Sequence, residues 1–219
     1  YTSNYGTLEL REALSRHLQR RYDVAYDPAT EMGITVGASE AQAVTLAALI
    51  DPGDEVVVAE PTDVAYVPDI IFSGGRPVFV PCSPHEGWQL DPDGVEAAIR
   101  PRTKAIFLGF PNNPTGSVLD TDRLRSIEEV AELHDLLVIS DEIYDRLVDG
   151  GHRHEAFSAL PGMRDRTVLL GGFSKSYAMT GWRVGYACAP SDLLEGIVKI
   201  HQNIILSAPT VAQDAALAG

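Results

Sequence analysis

The sequence lacks the features that mark secreted, membrane-spanning and nucleic-acid-binding proteins. It contains two cysteines, Cys82 and Cys188, each in an apolar strand-like run without metal-ligand spacing. No disulfide scaffold is therefore expected, and two reduced thiols in a cytoplasmic protein are the simpler interpretation. No run approaches the ~18 apolar residues of a membrane span, and no signal-peptide pattern is present. Seventeen Lys and Arg against 31 Asp and Glu give a formal charge of -14, which argues against nucleic acid or an anionic membrane surface as the main partner.

The composition is that of an ordinary globular chain. With 45% hydrophobic and 22% charged residues in 219 positions, a disordered, collagen-like or low-complexity chain is excluded. A chain of this length can bury on the order of 70% of its unfolded surface. It opens at Tyr1 rather than Met and stops at Gly219 just after a helical pattern, so we expect a fragment.

Strand-like and helix-like segments alternate along the chain, without a linker or a repeat. Strands are predicted at residues 34–36, 55–59, 76–81, 104–109, 136–140, 167–170 and 184–189. Helices are predicted after a Thr7 cap, from a Ser39 cap to residue 50, and at 64–72, 91–99, 120–134, 192–205 and 210–217. Several strands are continuous Val/Ile/Leu runs, which suit parallel strands covered on both faces. We predict an α/β fold, a doubly wound, mostly parallel sheet with helices on both faces, as one domain over residues 1–219.

Polar residues follow four of these predicted strands, at the edge where doubly wound sheets bind ligands. Ala38 and Ser39 open a helix after the first strand, and free backbone N–H groups at a helix start bind phosphate well. Asn113 lies in a rigid Pro-Asn-Asn-Pro loop after residues 104–109, from which an amide can be aimed. Taken singly, a helix cap and a turn explain these residues equally well.

Ionisable residues follow the two later strands. Asp141 and Tyr144 come after residues 136–140, and a carboxylate at the tip of a buried strand must be paired or hydrogen-bonded. Lys175 lies in a Gly/Ser-rich segment after residues 167–170, where desolvation turns a lysine into a nucleophile. Arg183 follows eight residues later. A capping aspartate and a surface lysine are the plain alternatives, but a phosphate cradle, an amide, a carboxylate and an amine at one edge together indicate a functional site.

Other catalytic templates do not match. The segment Gly37-Ala-Ser-Glu-Ala41 lacks the second glycine of a hydrolase nucleophile elbow, and Lys175 follows a serine rather than the glycine of a P-loop. His152 and His154 suit a metal, but no third ligand is evident, and we expect an ordinary loop and no metal site.

Together these pieces resemble the pyridoxal-phosphate (PLP) aminotransferases of fold type I, the aspartate-aminotransferase-like class I and II group. Ser-Lys, with Gly-Trp-Arg-Val-Gly following, is the most specific of the matching motifs. In family order over essentially the whole chain, the motifs are Tyr1-Thr-Ser-Asn-Tyr-Gly6, Glu9-Leu-Arg11, Gly37-Ala-Ser-Glu-Ala41, Asp51-Pro-Gly-Asp54, Asn113-Pro-Thr-Gly116, Asp141-Glu-Ile-Tyr144 and Ser174-Lys-Ser-Tyr-Ala-Met-Thr-Gly-Trp-Arg-Val-Gly185.

The resemblance implies catalytic roles for four residues. Lys175 corresponds to the lysine that forms the aldimine with PLP and later moves the proton. Asp141 corresponds to the partner of the pyridinium nitrogen, which lets the ring accept electrons from the substrate. Asn113 and Tyr144 correspond to the pair that hydrogen-bonds the phenolic oxygen. The implied reaction moves an amino group from an amino acid to a 2-oxo acid.

The resemblance also implies how the phosphate is bound and how the chain assembles. Arg183 corresponds to the phosphate arginine, and the backbone of Ala38 and Ser39 to the phosphate cradle. Tyr1 corresponds to a tyrosine that reaches the phosphate of the neighbouring subunit, which implies a homodimer. The family's N-terminal arm and its C-terminal small domain, with the arginine that binds the substrate carboxylate, are expected to be absent. We therefore expect this chain alone to be a weak transaminase or an inactive one.

Two positions depart from the family pattern. Many relatives have an aromatic residue stacked on the cofactor ring two positions after a proline, whereas Pro61 is followed at that place by Asp63. Tyr66 is the nearby aromatic that is a candidate substitute. Gly172 stands where some relatives have a phosphate-binding serine, and Ser174 is expected to replace it.

Two other functions share these motifs. One is the PLP-binding effector domain of a transcription regulator, which binds the cofactor without turnover. The other is a PLP-dependent C–S lyase or cyclopropane-forming synthase, which uses the same lysine, aspartate, asparagine, tyrosine and arginine.

Overall fold

A single mixed sheet lies at the centre of the computed structural model, which describes residues 2–219. Within these residues it has seven strands, in the spatial order β1-β7-β6-β5-β4-β2-β3. They are β1 (Met32–Thr35), β2 (Glu55–Glu60), β3 (Arg76–Pro81), β4 (Thr103–Gly109), β5 (Leu137–Asp141), β6 (Thr167–Gly172) and β7 (Gly185–Cys188). Strands β6, β5, β4, β2 and β3 are parallel, and β7 is antiparallel to both β6 and β1. The expected mostly parallel sheet is confirmed.

Helices cover both faces of the sheet. They are α1 (Leu8–Tyr22), α2 (Gly37–Leu49), α3 (Tyr66–Phe72), α4 (Pro92–Ala98), α5 (Thr121–Leu133), α6 (Ser191–Ile204) and α7 (Thr210–Ala218). Side chains along β2 point alternately to the two faces of the sheet. Val56 and Val58 pack with α2, α3 and α6, whereas Val57 and Ala59 pack with α4 and α5. A third cluster joins α1 and α7 to β1 and β7. The doubly wound architecture explains why these strands are continuous apolar runs.

The chain directions bring seven strand ends to one edge of the sheet. The carboxyl ends of β2, β3, β4, β5 and β6 lie there because these strands are parallel. Strand β1 runs in the same direction as β6, since both are antiparallel to β7. The amino end of β7 therefore lies at this edge as well. This places the segment before Gly185 beside the loops that follow the other strands.

Two helix starts differ by at least two residues from the sequence-based expectations, and one expected side-chain cap is not formed. Helix α2 begins at Gly37, two residues before the expected Ser39 cap, because Gly37 turns the chain at φ +79° and the Glu40 side chain accepts the Val36 N–H. Thr7 precedes α1 but makes no side-chain cap. Helix α3 begins at Tyr66 rather than residue 64. No helix among residues 2–219 is long and apolar enough to cross a membrane.

Candidate active site

A cavity of about 230 Å³ opens at the edge where these element ends meet. All eight candidate residues that the structure describes line it, namely Ala38, Ser39, Asn113, Asp141, Tyr144, Ser174, Lys175 and Arg183. Tyr1, the ninth candidate, lies outside the described residues. Asp63 and Tyr66, from the loop after β2 and the start of α3, line the same cavity. Residues separated by more than 140 positions in sequence are thus neighbours.

The start of α2 and Arg183 form a site suited to an anion. The first N–H groups of a helix have no partner within the helix, and here they include those of Ala38 and Ser39. A Cβ atom at Gly37 would lie 2.4 Å from Nη2 of Arg183, so the glycine allows the guanidinium to approach the turn. A Cβ at Gly185 would lie 2.4 Å from the Ala38 nitrogen. The two glycines thus bring a fixed positive charge and free backbone donors together, which favours a phosphate.

Asp141 is the last residue of β5 and lies at the buried end of the cavity. Its Oδ2 accepts a hydrogen bond from the Tyr66 hydroxyl at 2.9 Å, and its Oδ1 accepts one from the Ile143 N–H at 3.1 Å. Burial raises the pKa of Asp141 to about 6, although both hydrogen bonds act in the opposite direction. No salt bridge to this carboxylate is found within residues 2–219. The cavity therefore contains both a buried carboxylate without a salt-bridge partner and a group of donors suited to an anion.

Tyr66 lines the cavity and holds the Asp141 carboxylate. Its ring packs on Phe107 with centroids 4.2 Å apart, and its hydroxyl is used by the carboxylate. Gly109 makes room for this phenol, since a Cβ there would lie 2.5 Å from the hydroxyl oxygen. Tyr66 thus lies in the cavity lining together with Asp63, and its use as a substitute stacking aromatic stays a prediction.

Lys175 extends into the cavity from the turn after β6. Its Nζ lies 5.5 Å from the centre of the Tyr144 ring, within the range of a cation–π contact. Ser176, the next residue, donates a hydrogen bond from its hydroxyl to Oδ1 of buried Asp145 at 2.9 Å. Asp145 also accepts a hydrogen bond from the Tyr22 hydroxyl. The lysine is thus carried by a turn that is tied to the loop after β5.

Asp63 and Asn113 form a pair at the rim of the cavity. The Asn113 Nδ2 donates to Oδ2 of Asp63 at 2.7 Å, and the Ala65 N–H donates to Oδ1 at 2.9 Å. Asp63 therefore occupies the cavity, as its position after Pro61 implied.

His154 lies in a loop, as expected, but its side chain is buried against Glu142. Its Nε2 lies 2.7 Å from Oε2 of Glu142. The other carboxylate oxygen, Oε1, accepts hydrogen bonds from the Ser140 hydroxyl and the Phe157 N–H. Burial alone lowers the pKa of His154, but the Glu142 carboxylate outweighs it and leaves the pKa raised. No cluster of three or more His, Cys, Asp or Glu side chains suited to a metal is found in the described part of the chain.

Sequence reasoning missed the roles of Tyr66, Glu142 and His154. The one available signal for Glu142 was that it directly follows Asp141 at the end of a buried strand. Nothing in the linear pattern pairs it with a histidine 12 residues later.

Comparisons with known proteins identify close relatives over the whole chain. Residues 1–219 match the family model described as aminotransferase class I and II. The putative aminotransferase YugH of Bacillus subtilis is 45% identical over all of this chain and 56% of its own length. Aspartate aminotransferase of Pyrococcus abyssi is 40% identical over 92% of this chain and 52% of its own length. The solved aromatic aminotransferase of Pyrococcus horikoshii has a TM-score of 0.97 at 38% identity, over 100% of this chain and 58% of that one. The chain spans about half the length of the curated relatives it matches.

Proposed function

The chain belongs to the class I and II aminotransferases, and on this premise we propose that it forms the cofactor-binding large domain of an enzyme that transfers an amino group from an amino acid to a 2-oxo acid. Enzymes of this family depend on PLP. The observation that carries the proposal is the cavity in which a lysine amine, a buried carboxylate and an anion site converge.

The residues present fit the two ends of PLP. The free N–H groups of α2 and the Arg183 guanidinium supply donors for a phosphate dianion. The Asp141 carboxylate, whose pKa burial raises to about 6, is an acceptor that a protonated ring nitrogen would satisfy. A buried acid without a cationic partner is costly, and a protonated ring nitrogen beside Asp141 would offset this cost.

Each side chain has a specific task in the proposed reaction. When bound, PLP supplies an electron sink for the bond that breaks at the substrate α-carbon. Lys175 anchors the cofactor, and its freed Nζ then accepts the proton from the α-carbon and later returns it. Asp141 keeps a proton on the ring nitrogen, and Asn113 and Tyr144 hydrogen-bond the phenolic oxygen. Arg183 and the start of α2 fix the phosphate, which orients the reacting atoms relative to Lys175.

We also propose that the chain assembles as a homodimer. Three consecutive apolar residues at the end of α6 support this, because Ile204, Ile205 and Leu206 are 66%, 45% and 43% exposed. Sedimentation of the purified protein should give twice the mass of the chain, and a monomer at micromolar concentration would contradict the proposal.

A half-reaction tests the proposed chemistry directly. The PLP-loaded protein is mixed with single amino acids, including aspartate, phenylalanine and kynurenine. They are chosen because relatives of this chain are named as aspartate, aromatic-amino-acid and kynurenine aminotransferases. At least one donor should yield up to one equivalent of its 2-oxo acid per bound cofactor, detected by mass spectrometry. A stoichiometric assay registers the chemistry even when turnover is weak.

Two lysine variants control this assay. Lys175→Ala should abolish oxo-acid formation, whereas Lys199→Ala, a change of an exposed lysine on α6, should leave it intact. Oxo acid formed equally by both variants would contradict the proposed function.

A further inference from the structure

Asp63 is a charged residue of the cavity lining to which the proposed mechanism gives no task. It lies in the loop between β2 and α3, and both oxygens of its carboxylate are engaged. The Ala65 N–H holds one oxygen, which fixes the side chain against its own loop. The other oxygen accepts from the Asn113 amide at 2.7 Å. The carboxylate is therefore held in place before any ligand arrives.

This contact determines which way the Asn113 amide faces. An ionised carboxylate only accepts hydrogen bonds, so the amide must turn its nitrogen, and not its oxygen, towards Asp63. One N–H is then used, and the second N–H of the same nitrogen remains for another acceptor. Within residues 2–219 this is the one hydrogen bond found for the Asn113 side chain. Asn113 is otherwise exposed on its loop, so without Asp63 its amide is free to rotate.

We propose that Asp63 is a positioning residue for the cofactor, which acts by fixing the Asn113 amide so that its second N–H is presented to the phenolic oxygen of PLP. This inference rests on the proposed function. It gives Asp63 a role that differs from aromatic stacking, since a carboxylate acts here through a neighbouring amide and not through a ring face.

The competing explanation is that Asp63 only adds unwanted negative charge. Its carboxylate lines the same cavity as the side chains of Asp141, Lys175 and Arg183, so it adds a second negative charge to a site that has two basic side chains. The two explanations predict opposite signs for Asp63→Asn. An asparagine still accepts the Ala65 N–H, but its amide nitrogen then faces Asn113. Asn113 must turn its oxygen towards that nitrogen, so this oxygen, and not an N–H, faces the phenolic oxygen of PLP. If positioning dominates, PLP binding weakens, and if charge dominates, it tightens.

The test is a double-mutant cycle on PLP affinity, which needs no turnover. PLP is titrated into cofactor-free protein, and binding is followed by its absorbance. Asp63→Asn should raise the dissociation constant about fivefold, the range of one net hydrogen bond. In an Asn113→Ala background the same change should have less than about a twofold effect, because the residue through which Asp63 acts is gone. The thermal midpoint of each variant, measured without PLP, should stay within about 2 °C of the parent protein.

Each result bears on one of the two proposals. Equal or tighter PLP binding by Asp63→Asn would overturn the positioning role, and so would the same fivefold loss in the Asn113→Ala background. A parent protein that is folded but takes up no PLP would overturn the proposed function itself. Restored affinity in Asp63→Glu, which keeps an accepting carboxylate at this place, would support the positioning role against a general packing effect.

Discussion

Replacing Asp141 with asparagine should stabilise the cofactor-free protein and weaken its binding of PLP. Burial raises the pKa of this carboxyl from 3.8 to about 6, so the folded chain favours its protonated form. The stability linked to this group is complete below pH 4 and is lost as the pH rises through 6. At about 1.4 kcal/mol for each tenfold change in proton affinity, the loss at pH 8 is roughly 3 kcal/mol.

Asparagine removes this cost and keeps the local hydrogen bonds. Its oxygen still accepts the Ile143 N–H, and its NH₂ can donate to the Tyr66 hydroxyl, which both donates and accepts. The free energy of unfolding of Asp141→Asn should therefore exceed that of the parent by about 2–3 kcal/mol at pH 8 and by less than about 1 kcal/mol at pH 4.

Urea denaturation of the two proteins between pH 4 and 8, without cofactor, measures this difference. Asp149→Asn, a change of an exposed loop residue, is the matched control and should show no pH-dependent gain. With PLP present the order should reverse, because the variant lacks the anion that holds a protonated ring nitrogen. A variant no more stable than the parent at pH 8, or a gain that is independent of pH, would refute the reasoning.

Three further substitutions test other contacts of the site. Tyr66→Phe removes a hydrogen bond that favours the ionised form, so the pH at which the Asp141-linked stability is lost should move upward in the same urea series. His154→Gln should lower stability by about 1–2 kcal/mol near pH 5, and the loss should shrink as the pH rises through the raised pKa of His154, since the charged pair with Glu142 is complete only below it. Gly37→Ala should cost about 1–3 kcal/mol in a thermal melt and reduce PLP affinity at least tenfold, because φ is +79° and the new methyl group would displace the phosphate-binding guanidinium. Unchanged melts and unchanged PLP binding in these variants would count against the corresponding contacts.

The layout of the site could be predicted because it depends on strand ends. Continuous apolar runs mark parallel strands, and the carboxyl ends of parallel strands meet at one edge. This is why Lys175, Asp141 and Asn113, which follow three different strands, were expected to be neighbours. Arg183 reaches the same edge for a different reason, because β7 runs antiparallel and its amino end lies there. A hydrophobic pattern does not reveal strand direction, so the sequence indicated its place only through its spacing of eight residues from Lys175 and through the family motif.

The side-chain pairs within the site could not be predicted in this way. The Tyr66–Asp141 bond depends on the order of strands, since β4 separates β2 from β5. The Tyr66 ring packs on Phe107 of β4, and its hydroxyl donates to the carboxylate at the end of β5. The contact between Asp63 and Asn113 likewise joins loops 50 residues apart. Such contacts depend on loop conformation, which local sequence specifies less strongly than strand and helix periodicity.

The most direct test of the account is the identity of the residue that PLP modifies. The sequence contains three lysines, Lys104, Lys175 and Lys199, so the protein provides two internal controls. The protein is incubated with PLP, reduced with borohydride, digested and analysed by peptide mass spectrometry. The account predicts a pyridoxyl group on Lys175, with Lys104 and Lys199 modified at most in trace amounts. A folded protein without an adduct, or one with label spread evenly over the three lysines, would contradict the proposal that this cavity binds the cofactor.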